Sequence, residues 1–364
     1  MKIFFDHQIF ELQQFGGISR YFNEVMKIED RDVKVEKLDP ALASVIYGPS
    51  TDLISRGKNY LKRKTGLGKL PVIEDIAVRI KRKINDTQFN IFHPTYYDPY
   101  FLEYVNKPFV LTVYDMIHEI YPEYYPVSDP TAHNKRILCE KAAAIIAISE
   151  NTKRDIVDIL GISPEKVHAI PLASDFDKVI PVQPAASGDI KNFILFVGSR
   201  WGYKNFYFPV TAIASLLKQD QHLQLLCTGL AFNRDEEIFF NDLGIRQQVK
   251  HIFLKNDQEL AWAYQHAELF IFPSLYEGFG FPVLEAFAKG CPVIASNGGS
   301  LPEVAGDGAL YFNPKNIKEI REVAGQVLYN KALKKELVEK GTAVFKKFSW
   351  EKCRQQTIEV YRSL

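Results

Sequence analysis

The stretch Phe272-Pro273-Ser274-Leu275-Tyr276-Glu277-Gly278-Phe279-Gly280-Phe281-Pro282-Val283-Leu284-Glu285-Ala286 decides the fold. An apolar run ends near Phe272 as a strand would. A glycine-bearing loop follows, and Pro282 then opens a helix in the one turn where proline is tolerated. Gly290 is placed to close that helix. Strand, glycine loop and helix start together leave free N–H groups where an anion or a sugar oxygen can approach. Glu285 sits among Val283, Leu284, Ala286 and Phe287, so its carboxylate is expected to be buried and to need partners. A ribose diol would satisfy both oxygens; an arginine or a backbone donor would do so as well.

Outward from this junction, apolar runs rich in β-branched and aromatic residues recur. They are Lys2–Phe5, Phe109–Tyr114, Ile145–Ile148, Phe193–Val197, Leu223–Cys227, Leu269–Phe272 and Pro292–Ala295. Helical patterns separate them, which predicts βαβ units and a parallel sheet covered on both faces. The segment Asp175–Ile190 breaks the rhythm with Pro181, Pro184, Ser187 and Gly188 and reads as a linker. With 364 residues the chain is long enough for two α/β domains. The expected division is residues 1–180, residues 191–345 and a C-terminal helical segment 346–364. A ligand is expected at the carboxyl ends of the strands, in a cleft between the halves.

Composition excludes several classes. Hydrophobic residues make up 46% and charged residues 24%, values of a globular chain. The net charge of +1 gives no field for nucleic acid. Met1-Lys2-Ile3-Phe4-Phe5-Asp6 enters a strand directly, without a secretory pattern. The longest apolar run, Ala142–Ile148, is far short of the ~20 residues of a membrane span. Cys139, Cys227, Cys291 and Cys353 are scattered and form no metal-type pair. A reduced, cytoplasmic enzyme is therefore expected. One local exception is Arg56–Lys83, where ten Lys/Arg stand against Glu74 and Asp75. It reads as a solvated face, or as a contact for anionic lipid or a phosphorylated acceptor at the inner face of the plasma membrane.

Glu277 and Glu285 form an E-x7-E pair across the strand–loop–helix junction, with Gly278 and Gly280 between them. Here the chain resembles family 4 of the retaining glycosyltransferases, which have the GT-B fold of two Rossmann-like domains, and the resemblance covers nearly the whole chain. It implies that Glu285 binds the nucleotide ribose and that Glu277, with Gly278, Phe279 and Gly280, lies beside the donor sugar. It also implies that Arg200 and Lys204, in Phe196-Val197-Gly198-Ser199-Arg200-Trp201-Gly202-Tyr203-Lys204-Asn205, face the diphosphate. Two cations there would stabilise the charge on the leaving group. Gly16 and Gly17, in Gln14-Phe15-Gly16-Gly17-Ile18, match the family's glycine-rich loop after the first strand. Leu254 and Lys255 match the segment where backbone groups read the base, and Asn297–Glu303 a loop near the donor. The resemblance also makes residues 1–180 the acceptor-binding domain and residues 191–345 the nucleotide-sugar donor-binding domain, and the segment Trp350–Leu364 matches a helix that returns to the first domain.

In Thr112-Val113-Tyr114-Asp115-Met116-Ile117-His118-Glu119, many relatives carry His-Asp where this chain has Tyr114-Asp115. Asp115 or His118 is then a candidate for the sugar or the acceptor hydroxyl, and His93 holds a similar position after its own strand. The implied activity is retaining hexosyl transfer from GDP-mannose or a UDP-sugar to a saccharide or lipid-linked saccharide, in surface polysaccharide or lipopolysaccharide assembly. No Asp-x-Asp stands at a strand end, so neither an essential metal nor a cofactor is expected. An epimerase on the same fold, or an inactive nucleotide-binding scaffold subunit, is the alternative.

Overall fold

The computed structural model describes residues 1–13, 16–38, 76–188 and 190–364, and side chains in all of these except 76–80. Gln14, Phe15 and most of the basic stretch, residues 56–75, lie outside the described residues. The remainder of that stretch starts the helix Ile76–Asp86.

Twelve strands are present among the described residues. They are β1 (Lys2–Phe5), β2 (Lys34–Lys37), β3 (Ile91–His93), β4 (Val110–Val113), β5 (Ala144–Ala147), β6 (Val167–Ala169), β7 (Phe193–Phe196), β8 (Gln224–Thr228), β9 (Val249–Ile252), β10 (Leu269–Phe272), β11 (Val293–Ser296) and β12 (Ala309–Phe312). The chain divides into two compact units. The first comprises Met1–Thr112, His133–Ile146 and Thr357–Leu364; the second comprises Val113–Ala132 and Ala147–Gln356. Two three-stranded sheets have the orders β2–β1–β3 and β4–β5–β6.

In the first unit β1 pairs in parallel with both neighbours, Ile3 opposite Val35 and Ile91. Ile3, Phe4 and Phe5 are all fully buried, which explains why β1 beyond Lys2 is apolar at successive positions and does not alternate. Phe5 packs against Phe22 and His93. His93 is itself fully buried, its Nδ1 2.6 Å from the Tyr361 hydroxyl and its Nε2 2.9 Å from Thr112 Oγ1. It is a structural histidine. Burial lowers its pKa to about 3. The unfolded chain therefore takes up a proton near pH 6.5 that the folded chain refuses. Stability from this group is fully present above pH 6.5 and is lost as pH falls towards 3. His93 alone contributes a loss of about 1.4 kcal/mol per pH unit across that window. Because the raised carboxyl pKa of Asp155 works in the opposite sense, the check is the difference from His93→Gln in melting scans: equal slopes for the two proteins between pH 4 and 6 would show that His93 is not neutral in the fold.

The second unit holds a six-stranded sheet in the order β12–β11–β10–β7–β8–β9, and every pairing is parallel. β7 (Phe-Ile-Leu-Phe) and β10 (Leu-Phe-Ile-Phe) are buried at every position, as central strands with helices on both faces require. From β7 the chain winds outward to β8 and β9, then returns to place β10 on the other side of β7. This is the doubly wound order, and its switch point lies between β7 and β10. In a doubly wound sheet the loops leaving the carboxyl ends of the two strands at the switch point are where ligands are expected.

The segment read as a linker is fastened to the second unit. Phe176 is buried against Tyr264, with ring centroids 6.0 Å apart. Lys289 Nζ donates to the carbonyls of Asp177 (3.3 Å) and Val179 (2.6 Å), and Val182 N–H donates to Gln258 O (3.0 Å). Four cysteine thiols are buried, and burial pushes those of Cys227 and Cys291 up. Among the described residues no helix is long and apolar enough to cross a membrane.

Candidate active site

The switch point collects most of the residues singled out in the sequence. After β7 the chain makes a short turn, Gly202–Lys204, stopped by Asn205 in the left-handed region at φ 56°. Asparagine accepts this conformation better than other side chains with a Cβ. Asn205 Nδ2 donates to the carbonyls of Pro273 (3.1 Å) and Pro314 (2.9 Å), which ties this loop to the one after β10. Leu275 N–H donates to Tyr203 O at 2.7 Å and adds a second tie. Lys204 Nζ then meets Glu277 Oε1 at 2.7 Å. The same oxygen accepts from Ser274 Oγ at 2.5 Å. Glu277 is 9% exposed, so both bonds act in a partly dried pocket, where they are stronger than in bulk water.

The loop after β10 has no slack. Ser300 donates to Glu277 O through its N–H (3.1 Å) and its Oγ (2.9 Å), and its Oγ lies 3.0 Å from Phe279 O. A Cβ on Gly278 would lie 1.7 Å from Tyr114 O and 2.9 Å from Asp115 Cβ. Gly280 has φ +104° and caps the helix Phe281–Ala288, with Pro282 at its start and Gly290 at φ +67° just beyond its end. Tyr114 and Asp115 therefore touch the backbone beside Glu277. Asp115 Oδ1 accepts from Ile117 N–H at 3.0 Å.

Glu285 lies one turn along this helix and is 7% exposed. Tyr264 hydroxyl donates to its Oε2 at 3.3 Å, so part of the partner demand foreseen for this carboxylate is met from within. Arg200 is turned the other way from Lys204. Its Nε donates to Glu236 Oε1 (2.5 Å), and its Nη2 to Glu236 Oε2 (3.2 Å) and the carbonyls of Leu230 (2.8 Å) and Ala231 (3.1 Å). Burial pushes the Glu236 carboxyl up, but the Arg200 fork and the Asn233 N–H outweigh it and hold the group below the usual carboxylate range. In this arrangement Arg200 ties the β8 loop to the helix Arg234–Asp242.

Other candidates occupy separate places. His118 stacks on Tyr125, with ring centroids 3.7 Å apart, and its Nε2 lies 3.8 Å from Asp129 Oδ2. Leu254 is half-buried and Lys255 exposed after β9; the Lys255 N–H donates to Glu259 Oε2 at 2.8 Å. Gly16 caps, and Gly17 begins, the helix Gly17–Val25 of the first unit. Glu303, in the loop expected near the donor, accepts from the N–H groups of Glu150 (2.8 Å) and Asn151 (2.9 Å). It thereby serves the start of the helix Glu150–Leu160, a favourable place for an anion.

Sequence reasoning missed Ser274 as a partner of Glu277, Glu236 as that of Arg200, and Tyr264 as that of Glu285. It also missed Asp155, whose Oδ2 accepts from Asn151 Nδ2 (2.7 Å) and from the Tyr276 hydroxyl. Burial raises the Asp155 pKa despite those bonds. One signal was legible: Asn233 and Glu236 have capping-box spacing, and both bonds of the box are present.

Comparison with known proteins bears on this geometry. A family profile described as Glycosyl transferases group 1 matches residues 182–344, and one described as Glycosyltransferase Family 4 matches residues 36–178. The chain is 29% identical to O-antigen chain mannosyltransferase B of Escherichia coli, covering 96% of each chain. It is 34% identical to the MMP alpha-(1->4)-mannosyltransferase of Mycolicibacterium hassiacum over 60% of this chain and 53% of that protein. Among solved structures, sucrose-phosphate synthase of Thermosynechococcus elongatus superposes with TM-score 0.73 at 18% identity, over 100% of this chain and 98% of that one. Anabaena HepE in complex with UDP and glucose gives 0.71 at 16%, over 100% of both. The chain thus belongs to the group 1 / family 4 glycosyltransferases and has the two-domain, Rossmann-like GT-B fold.

Proposed function

We propose that this glycosyltransferase moves a hexosyl group, mannosyl foremost, from a nucleotide-diphosphate sugar to a saccharide or lipid-linked saccharide, with retention and in surface polysaccharide assembly. The observation that carries the reading is the Lys204–Glu277 pair, 2.7 Å apart at the switch point of a doubly wound sheet. The relatives named as mannosyltransferases support a mannosyl donor.

In the proposed step the bond from the anomeric carbon to the diphosphate oxygen breaks, and its electron pair leaves with the nucleotide. The acceptor oxygen bonds to the same face of the sugar, and its proton passes to the departing phosphate. Lys204 stabilises the developing negative charge. Glu277 holds the Lys204 ammonium in place and faces the positive charge that grows on the sugar. Glu285 takes the ribose hydroxyls. Arg200 supports the loop from behind, since its fork is engaged by Glu236. No divalent ion is required in this scheme, so activity should survive excess chelator; complete loss with EDTA, restored by a metal, would refute that part.

A thermal-shift panel of UDP, GDP, ADP and their sugar conjugates on wild type and Glu285→Ala tests the donor site. At about 100 times its dissociation constant the right nucleotide should stabilise wild type by roughly 2.7 kcal/mol, and the variant much less. No shift with any nucleotide defeats the reading. The same proposal puts the enzyme at the inner membrane face through Arg56–Lys83, which predicts salt-sensitive sedimentation with anionic liposomes.

A further inference from the structure

The loop that presents Lys204 also presents a large apolar surface to water. Trp201 is 56% exposed, three residues before Lys204, and its carbonyl accepts from Lys204 N–H at 3.3 Å. The indole is not an isolated surface ring. Tyr124 and Tyr125, from the same unit, stand nearly perpendicular to it, with centroids 6.0 and 6.1 Å away and interplanar angles of 67° and 80°. Behind them Tyr121 stacks on Tyr124, and His118 on Tyr125. Gly202, at φ +57°, lets the chain turn against the Tyr124 ring, where an added Cβ would sit 3.3 Å from Cγ. The tryptophan is thus braced by two neighbouring rings in a loop that is itself fastened to the Glu277 loop.

We propose that Trp201, braced by Tyr124 and Tyr125, is the stacking surface for a pyranose ring of the saccharide acceptor. This rests on the transferase reading. A pyranose carries C–H bonds on one face and hydroxyls around its rim. The negative face of an aromatic ring attracts those C–H hydrogens, and a rigid indole loses little entropy on contact. Tyr124 and Tyr125, whose rings lie 6.0 and 6.1 Å from the indole, each carry a hydroxyl able to meet the hydroxyls of a sugar rim. Position favours acceptor over donor: the donor sugar belongs against half-dried Glu277, whereas Trp201 stands on the exposed side of the same turn.

The chain has three tryptophans, and the other two, Trp262 and Trp350, are 7% and 5% exposed. Acrylamide quenching therefore reports mainly on Trp201. Without nucleotide, mannobiose and methyl α-mannoside should protect wild type from quenching, with a midpoint in the millimolar range, and sorbitol should not. In Tyr124→Ala/Tyr125→Ala, which keeps the fluorophore, the midpoint should rise about tenfold. No protection at about 50 mM saccharide, equal protection by sorbitol, or an unchanged midpoint in the double variant each overturns the proposal. Nucleotide thermal shifts on the same samples keep the two readings apart. Protection without a nucleotide shift removes the transferase reading but leaves a sugar site; a shift without protection does the reverse.

Discussion

Replacing Glu277 with glutamine is expected to lower kcat about a thousandfold while leaving the fold and nucleotide binding in place. Both partners of Glu277, Lys204 and Ser274, act on the same oxygen, and the amide that replaces the carboxylate keeps the volume but loses the charge. Removing even one preorganised neutral donor to a developing charge costs about 100- to 1,000-fold in other enzymes. Here Lys204 loses its counterion as well, so the upper end is expected. Lys204→Met should fall to a similar level, and the double variant should be little worse than either single one, because the two groups act as a unit. Steady-state transfer at saturating donor, with a melting curve beside it, checks this. Glu277→Gln activity within tenfold of wild type would remove Glu277 from the reacting centre.

The second large effect concerns packing. Gly278→Ala should destabilise the second unit by about 3 kcal/mol or more, which for a unit of this size is a fall of roughly 10 °C in melting temperature. The new methyl group would lie 1.7 Å from Tyr114 O, and it would meet backbone rather than the end of a flexible side chain. Either the Glu277 loop or the Tyr114–Asp115 segment must move. Gly161→Ala is the control. Gly161 has φ +70°, but a methyl group added there would meet nothing within 4 Å, so only the backbone cost of about 1 kcal/mol applies. Similar melting temperatures for the two variants would show that the close approach at Gly278 is not tight.

The strands that carry the site were legible because each is buried on both faces, and a run such as Leu269–Phe272 fits nowhere but the interior of a sheet. β2 was not legible. Its sequence, Lys-Val-Glu-Lys, is charged and partly exposed, as suits a strand that has one neighbour among the described residues. Within the site, Glu277 and Lys204 could be named from their loops. Their direct pairing could not, since 73 residues separate them and only the strand order brings them together. From the loop alone both Arg200 and Lys204 are cations that could face a diphosphate, Lys204 being the better match to the family's loop. The difference is Glu236, 36 residues away, whose carboxylate fits the guanidinium fork in two places. The glycine at 278 was read as freedom for a ligand to approach; it is equally room for Tyr114.

The strand order also has a consequence during synthesis. β7 is made well before β10, yet in the finished sheet it lies between β8 and β10. Until the ribosome has released Leu269–Phe272, the nascent chain holds Phe-Ile-Leu-Phe with one ladder edge unpaired and Lys204 without its counterion. An open apolar edge of this kind is a template for association with other chains. Fragments that stop before residue 269 should therefore aggregate, and chaperone demand should peak while that interval is being translated.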